Sequence, residues 1–155
     1  MSNSKPRGFM HSLRYRFINV YPPFLGAGIR VRHRESDEHT IKVQMKLTKL
    51  NLNAVGTHFG GSLYAMCDPW FMLILMQHLG RDYVVWDKAA AIQFVKPGRG
   101  TVSATFHISP EQIADLRAQV EQAGKIEPLF NVDVIDEQGE VVAKVEKRLY
   151  MRKKK

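Results

Sequence analysis

The sequence contains little cysteine and no long hydrophobic segment. Its only cysteine, Cys67, excludes an internal disulfide and a cysteine-based zinc site, and such cysteine usage is typical of a reducing compartment. The longest apolar run, Pro69–Met76, is far shorter than the roughly 20 residues that a helix needs to cross a bilayer. Residues 1–16 are basic but lack the apolar core of a signal peptide. These absences predict a cytoplasmic protein without a membrane span or a metal site.

The length and charge favour one folded domain. The 155 residues, 45% of them hydrophobic and 25% charged, match the usual composition of such a domain. The net charge of +8 is uneven: residues 1–39 carry +4 and residues 144–155 carry +6, whereas the segment between them carries −2. Nucleic-acid-binding proteins more often interleave basic residues with exposed aromatic ones along one face. We therefore favour a solvated basic surface, with attraction of a polyanionic ligand as an alternative and nucleic-acid binding as a weaker one.

The hydrophobic pattern predicts antiparallel strands and three helices. Alternating apolar and polar residues indicate half-buried strands. The predicted strands are 29–34, 41–48, Ala89–Val95, 101–108, Phe130–Ile135 and Val141–Tyr150, with a turn at Glu35–His39 joining the first two. An amphipathic helix is predicted at residues 7–20, and a second begins at Ser109, where Ser, Pro and Gln form an N-terminal capping pattern, and ends at Gly124.

The segment Phe59–Leu79 is predicted to be the central helix. It has apolar residues on nearly every side, so we expect burial all round, either within a wrapped sheet or between a sheet and a partner subunit. Antiparallel strands around one buried helix make an α+β domain. A single curved sheet leaves edge strands unpaired, which predicts a dimer.

Candidate chemistry lies at the start of this helix. Gly60 and Gly61 leave first-turn backbone amides uncovered, and these amides with the helix dipole form a site for a developing negative charge. Asp68, seven residues after Gly61, is the only carboxylate in the helix. A perturbed carboxylate near such donors is the minimum equipment for hydrolysing an activated ester.

These residues resemble the motif of the hotdog-fold thioesterases. That motif is Asn-x-x-Gly-x-x-His-Gly-Gly followed seven residues later by Asp or Glu. The matching positions here are Asn53, Gly56, Gly60, Gly61 and Asp68. The sequence is most similar to the uncharacterised, thioesterase-like branch of this superfamily catalogued as a domain of unknown function, on the segments Tyr21–Gly28, Phe59–Met66, Trp86–Ala90 and Phe94–Gly98.

The resemblance implies a hotdog fold, with an antiparallel sheet wrapped around one long helix, and a thioester substrate. The substrate would be an acyl-CoA or acyl-carrier thioester, bound in a tunnel between two subunits of a homodimer or a dimer of dimers. No cofactor is implied beyond the CoA moiety of the substrate. The Gly61 N–H would polarise the carbonyl, Asp68 would act as general base or nucleophile, and Asn53 would orient water or substrate.

Further substrate contacts are expected around this motif. The candidates are Gly60, Phe59, His58, Lys96 and Arg99, the last two facing the phosphates of the carrier. Structural alternatives stay open for His58 as a loop contact, for the two basic residues as solvated turn charges, and for Asp68 as a hydrogen-bond acceptor for backbone groups. We also expect an ion pair between Asp87 and Lys88 at a strand start, with a role in the site as the alternative, and a buried, unreactive Cys67.

Two departures from the motif support a second hypothesis. Phe59 occupies the position of the motif's His, with His58 one place earlier, and Pro69 should kink the helix after Asp68. A non-catalytic acyl-CoA-binding module of the same fold is therefore the alternative. In either case the chain is one domain over residues 1–155, with an N-terminal helix and connector at 1–28, a core at 29–150 and a basic tail at 151–155.

Overall fold

Seven antiparallel strands form one sheet, and two consecutive helices pack against it. The structure, a computed structural model, describes residues 17–32 and 38–154. In chain order the elements are α1 Pro22–Ala27, β1 Ile29–Val31, β2 Thr40–Lys46, α2 Gly60–Ala65, α3 Trp70–Leu79, β3 Tyr83–Phe94, β4 Thr101–His107, α4 Pro110–Ala123, β5 Lys125–Ile126, β6 Leu129–Ile135 and β7 Val141–Lys153. The predicted α+β class is confirmed.

The sheet ends in a long edge strand. Its order is β1-β2-β4-β6-β7-β3, with the short β5 also paired to β7, and every pairing is antiparallel. β3 and β7 are the longest strands, with 12 and 13 residues, and pair from Tyr83 opposite Lys153 to Phe94 opposite Ala143. Among the strands of the described residues, β3 therefore combines great length with one neighbour, β7.

The central helix is present but divided. α2 and α3 are separated at Met66–Pro69, and Pro69 is the N-cap residue of α3. A proline has no N–H and its ring collides with the carbonyl four residues earlier, so the predicted kink is confirmed. Asp68 lies in this break, where the chain no longer follows one regular helix.

The core lies between these helices and one face of the sheet. The buried residues of α3 are Trp70, Phe71, Ile74, Leu75 and Leu79, and they pack with inward-facing strand residues. The opposite face of α3 is open, since Met76 is 49% exposed. The single chain therefore leaves one face of α3 uncovered, and the predicted arrangement with a sheet on one side and a partner subunit on the other stays a prediction.

Several element boundaries differ from the prediction. β3 begins at Tyr83 rather than Ala89, and β7 continues through Lys153, beyond the predicted end at Tyr150. The segment expected to be a connector contains α1. The start of β3 was missed because an irregularity between Asp87 and Ala89 interrupts its alternation.

Two predictions made from short sequence segments, the pairing of β1 with β2 and the N-terminal cap of α4, are confirmed. β1 and β2 pair as predicted, although residues 33–37 of their expected connection lie outside the described residues, as do residues 7–16 of the expected N-terminal helix. In α4 the Ser109 hydroxyl accepts a bond from the Gln112 amide and the Gln112 side chain accepts one from Ser109, which is the predicted capping box. None of the helices within 17–32 and 38–154 has the length and hydropathy that a bilayer crossing requires.

Candidate active site

Asp68 is held by two side chains from different elements. The Tyr64 hydroxyl, one turn earlier on α2, donates a 2.9 Å hydrogen bond to Asp68 Oδ1. Lys147 Nζ, from β7, donates a 3.0 Å bond to the same oxygen and a 3.1 Å bond to the Tyr64 oxygen. The Asp68 side chain is 49% exposed, so the carboxylate is anchored on one side and open on the other.

Lys147 reaches this position because it faces inward on β7. Along the strand, Val145, Lys147, Leu149 and Met151 are buried and the residues between them are more exposed. Lys147 therefore takes an inward position in the alternation of a strand, and its side chain is 0% exposed. A buried ammonium is costly unless it is paired, and its partners lie on the helices and on β3.

Asp87 is the second carboxylate beside Lys147. It lies on β3 opposite Leu149, where the β3–β7 register shifts between Asp87 and Ala89. Its Oδ1 is 3.1 Å from Lys147 Nζ. The expected ion pair between Asp87 and Lys88 is therefore wrong: Asp87 turns inward to Lys147, whereas Lys88 pairs with Glu127 on the surface.

One cation, the ammonium group of Lys147, lies between the carboxylates of Asp68 and Asp87, and the pKa values of the group reflect this. Burial by itself would lower the pKa of Lys147, but its bonds to Tyr64 and Asp68 and the charges of Asp68 and Asp87 outweigh burial and raise that pKa. Burial raises the pKa of Asp87, and Lys147 opposes that rise. Burial also raises the pKa of the Tyr64 hydroxyl, which stays a neutral donor. We call these four residues, Tyr64, Asp68, Asp87 and Lys147, the buried lysine cluster.

Two phenylalanine rings cover the glycine pair. A Cβ placed on Gly61 would lie 2.5 Å from a ring carbon of Phe59, and one placed on Gly60 would lie 3.0 Å from the Phe94 ring. Both rings are 56% exposed. The absence of side chains at Gly60 and Gly61 thus allows the close approach of aromatic rings to the first turn of α2, whose amides have no partner four residues earlier in the helix.

Asn53 and His58 build the loop that enters α2. The Asn53 side chain donates to Thr57 Oγ1 and to the His58 carbonyl and accepts from the amides of Val55 and Thr57. His58 is buried, and its Nε2 lies 3.0 Å from the Gly100 carbonyl oxygen. A carbonyl only accepts, so Nε2 carries the proton. Both side chains are thus used within the protein, the histidine as the loop contact that was one of its two interpretations.

The two basic residues of the turn at 96–100, Lys96 and Arg99, differ in their contacts. Lys96 forms ion pairs with Asp136 and Glu140 on the turn after β6. Arg99 is exposed on the same 96–100 turn. Lys96 would have to leave two carboxylates to meet a phosphate, whereas Arg99 is accessible. Cys67 is fully buried, and burial raises the pKa of its thiol to about 12, which agrees with the predicted unreactive role.

The sequence analysis missed three of the four cluster residues as site residues. Tyr64 was assigned to core packing, Asp87 to an ion pair with Lys88 in preference to a role in the site, and Lys147 was not considered. A signal for Lys147 existed, because a lysine in step with Val145 and Leu149 faces the core. Over the described ranges, no group of three His, Cys, Asp or Glu side chains is placed to hold a metal ion.

The strand order, the divided central helix and the glycine pair define a thioesterase-like hotdog fold. Solved structures share it. A protein from Pseudomonas aeruginosa described as a probable thioesterase has a TM-score of 0.80 and 21% identity, over 93% of this chain and 96% of that chain. A protein of unknown function from Chlorobaculum tepidum has a TM-score of 0.70 and 19% identity, over 94% and 95%.

A thioesterase from Haemophilus influenzae is also similar, with a TM-score of 0.64 and 13% identity over 88% of this chain and 87% of that chain. The chain belongs to the family described as Domain of unknown function (DUF4442), whose model matches residues 11–151. The resemblance inferred from the sequence is thus confirmed at the level of family and fold. We found no curated protein that matches the sequence.

Proposed function

We propose that the protein hydrolyses a thioester of coenzyme A or of an acyl carrier, with Asp68 as the acting carboxylate. The observation that carries this proposal is the position of Asp68, its partial exposure and its hydrogen bonds. It lies in the helix break after Gly60 and Gly61, half exposed, with Oδ1 bonded to Tyr64 and Lys147. Its other oxygen receives no hydrogen bond from the described residues, and is therefore the one available to water or substrate.

The reaction needs one activated water and one polarised carbonyl. The Gly61 N–H would donate to the thioester oxygen, Asp68 would take a proton from water as the water oxygen attacks the carbonyl carbon, and that proton would pass to the departing thiolate. If Asp68 itself attacks, an acyl anhydride forms first and water then hydrolyses it. In both routes, general-base and nucleophilic, the acting atom is the Asp68 oxygen that does not bond Tyr64 and Lys147. Asn53 and His58 contribute by holding the loop that leads into α2, and Arg99 is the candidate contact for carrier phosphates.

A homodimer is part of the proposal. β3 is a 12-residue edge strand, and Trp86, Ala89, Ala90, Ala91 and Phe94 on it are exposed. A long apolar edge is a template for pairing with another chain, and pairing of two β3 strands would bring a second subunit next to Phe94 and Gly60. Light scattering after gel filtration should give twice 17.8 kDa, or four times for a dimer of dimers. A mass of one unit would contradict this part.

Hydrolysis of a panel of acyl-CoA esters tests the activity. Asp68→Asn should keep the far-ultraviolet circular dichroism of the wild type but lower kcat/KM by at least about 100-fold, because it removes the base or nucleophile. Asp133→Asn is the matched control, since Asp133 is an exposed aspartate on β6. Absence of turnover by wild-type protein on every acyl-CoA ester and on acyl-carrier thioesters would reject the hydrolase.

One observation favours a second candidate, a non-catalytic binding module. Phe59 stands where the motif has His, and its ring lies against Gly61, the residue whose amide would polarise the carbonyl. Calorimetric binding of CoA esters without turnover would support this candidate. Phe59→His should then leave binding intact, whereas a hydrolase hindered by the ring should become faster.

A further inference from the structure

The buried lysine cluster contains more negative than positive charge. Lys147 is fully buried and lies 3.0 Å from Asp68 Oδ1 and 3.1 Å from Asp87 Oδ1. The two carboxylates differ in exposure, at 49% for Asp68 and 22% for Asp87. One cation is therefore shared between an acid that reaches solvent and an acid that is mostly enclosed.

We propose that Lys147 is a positioning residue that fixes the orientation and the negative charge of Asp68, and that Asp87 limits this effect by competing for the same ammonium group. This inference rests on the hydrolase function proposed above. Lys147 stabilises the negative charge of the Asp68 carboxylate, and Asp87 weakens that stabilisation.

The orientation follows from the hydrogen bonds. Lys147 and Tyr64 both donate to Oδ1, and Lys147 also donates to Tyr64, so the three groups form a closed triangle of 2.9, 3.0 and 3.1 Å. The Asp68 carboxylate cannot rotate without breaking two of these bonds, one of them charge-assisted. The oxygen without a protein partner is thus kept at the exposed side of the cluster.

The charge effect follows from the signs of the neighbours. An ammonium group within hydrogen-bond distance stabilises an ionised carboxylate, and a second carboxylate nearby destabilises it. Each element packed around Asp68 contributes one group: Tyr64 on α2, Lys147 on β7 and Asp87 on β3, with Cys67 beside Asp68 in the chain. The tyrosine and the cysteine are neutral near pH 7, which leaves Lys147 and Asp87 as the two opposing charges.

A merely structural ion pair differs from a positioning pair in its effect on catalysis. A buried pair adds little net stability, and an apolar residue of similar size can often replace it. Loss of a charge next to Asp68 changes the protonation of Asp68 in either case, whereas a purely structural role predicts that kcat of the folded Lys147→Met protein stays where it was. A positioning role predicts that kcat falls with little change in KM.

The test compares Lys147→Met and Asp87→Asn with the wild type, and Lys144→Met serves as the matched control because Lys144 is an exposed lysine on the same strand. The acidic limb of the kcat/KM–pH profile should move to higher pH in Lys147→Met, because the neighbouring cation is lost. It should move to lower pH in Asp87→Asn and stay in place in Lys144→Met. In Lys147→Met, kcat should also fall by about 10-fold to 100-fold with little change in KM, because the carboxylate is misplaced after binding.

A second readout does not depend on turnover. The pH midpoint of the Asp68 side-chain carboxyl ¹³C resonance should move in the same two directions. If the midpoint moves so but no thioester is hydrolysed, the hydrolase function fails while the charge relation holds. If the midpoint is the same in the wild type and in Asp87→Asn, or moves in one direction in both variants, the inference is overturned. Asp87→Asn retains Lys147, so it decides the question even if Lys147→Met does not fold.

Discussion

Within residues 17–32 and 38–154, two clusters have one lysine in contact with two acidic side chains, and they differ in burial. In the buried lysine cluster, Lys147 has no exposed surface and its acids come from a helix break and from β3. In the second, the surface lysine cluster, Lys96 is one-third exposed and contacts Asp136 and Glu140 on one turn. One lysine and two acids thus connect distant elements in the buried lysine cluster, whereas in the surface lysine cluster they connect two neighbouring turns.

The difference teaches what burial does to an ion pair. Water screens the surface lysine cluster, and such pairs contribute little to stability. The buried lysine cluster loses much of that screening, so its charges act strongly on one another and removal of one partner leaves an uncompensated charge. Function is therefore expected at Lys147, although Lys96 and Arg99 were the residues predicted to contact phosphates.

The largest effect expected from this comparison is the loss of stability in Lys147→Met. It leaves Asp87 enclosed without its cation, which should lower the free energy of unfolding by about 3 kcal/mol. Lys96→Met should lower it much less, since water replaces the lost partner. Urea unfolding of both variants measures the difference, and equal losses would show that burial does not separate the two clusters.

The next effect is partial recovery in the double variant Lys147→Met/Asp87→Asn. Removing the enclosed charge together with its cation leaves a neutral, well-packed site, so roughly half of the lost stability should return. The matched double variant Lys96→Met/Glu140→Gln should show no such recovery. A double variant at Lys147 as unstable as the single one would mean that Lys147 matters by its packing, not by its charge.

A smaller effect concerns the turn that carries Lys96, because His58 holds this turn from inside. His58 accepts or donates nothing at Nδ1 within the described part of the chain, and burial lowers its pKa below the ordinary value. The unfolded chain then takes up a proton at a higher pH than the folded protein, so stability should fall as the pH decreases from about 6.5, the usual pKa of histidine, through the lower folded pKa.

His58→Gln keeps a donor for the Gly100 carbonyl and removes the titration. Its free energy of unfolding, measured by urea denaturation at pH 7 and pH 5, should therefore fall less than that of the wild type. The same fall in both proteins would exclude His58 as the source of acid sensitivity.

The smallest effect is the salt dependence of the surface lysine cluster. At 1 M NaCl the Debye length is about 3 Å, so the stability difference between wild type and Lys96→Met should shrink. The difference between wild type and Lys147→Met should persist, because the buried ammonium is shielded from ions. Thermal melts at low and high salt measure both differences. If both differences disappear at high salt, burial does not shield the Lys147 pairs from ions.

The features that sequence analysis predicted correctly depend on short segments. The capping box of Ser109 and Gln112, the kink before Pro69 and the pairing of β1 with β2 each follow from residues close together in the chain. The start of β3 was missed because its register irregularity removes the alternation on which strand prediction relies. The candidate site was predicted in part: Asp68 and the glycine pair form a local motif, whereas Lys147 is 79 residues from Asp68.

By itself, the sequence determined the start and end of α4, the break at Pro69, the pairing of β1 with β2 and the placement of one acid after a glycine pair, because these reflect steric and hydrogen-bonding preferences over a few residues. Only the tertiary structure decided which charges Asp68 meets. The pairing of β7 with β3 and the packing of both strands against the helices bring Lys147 and Asp87 to the helix break, and that meeting depends on the strand order of the whole sheet.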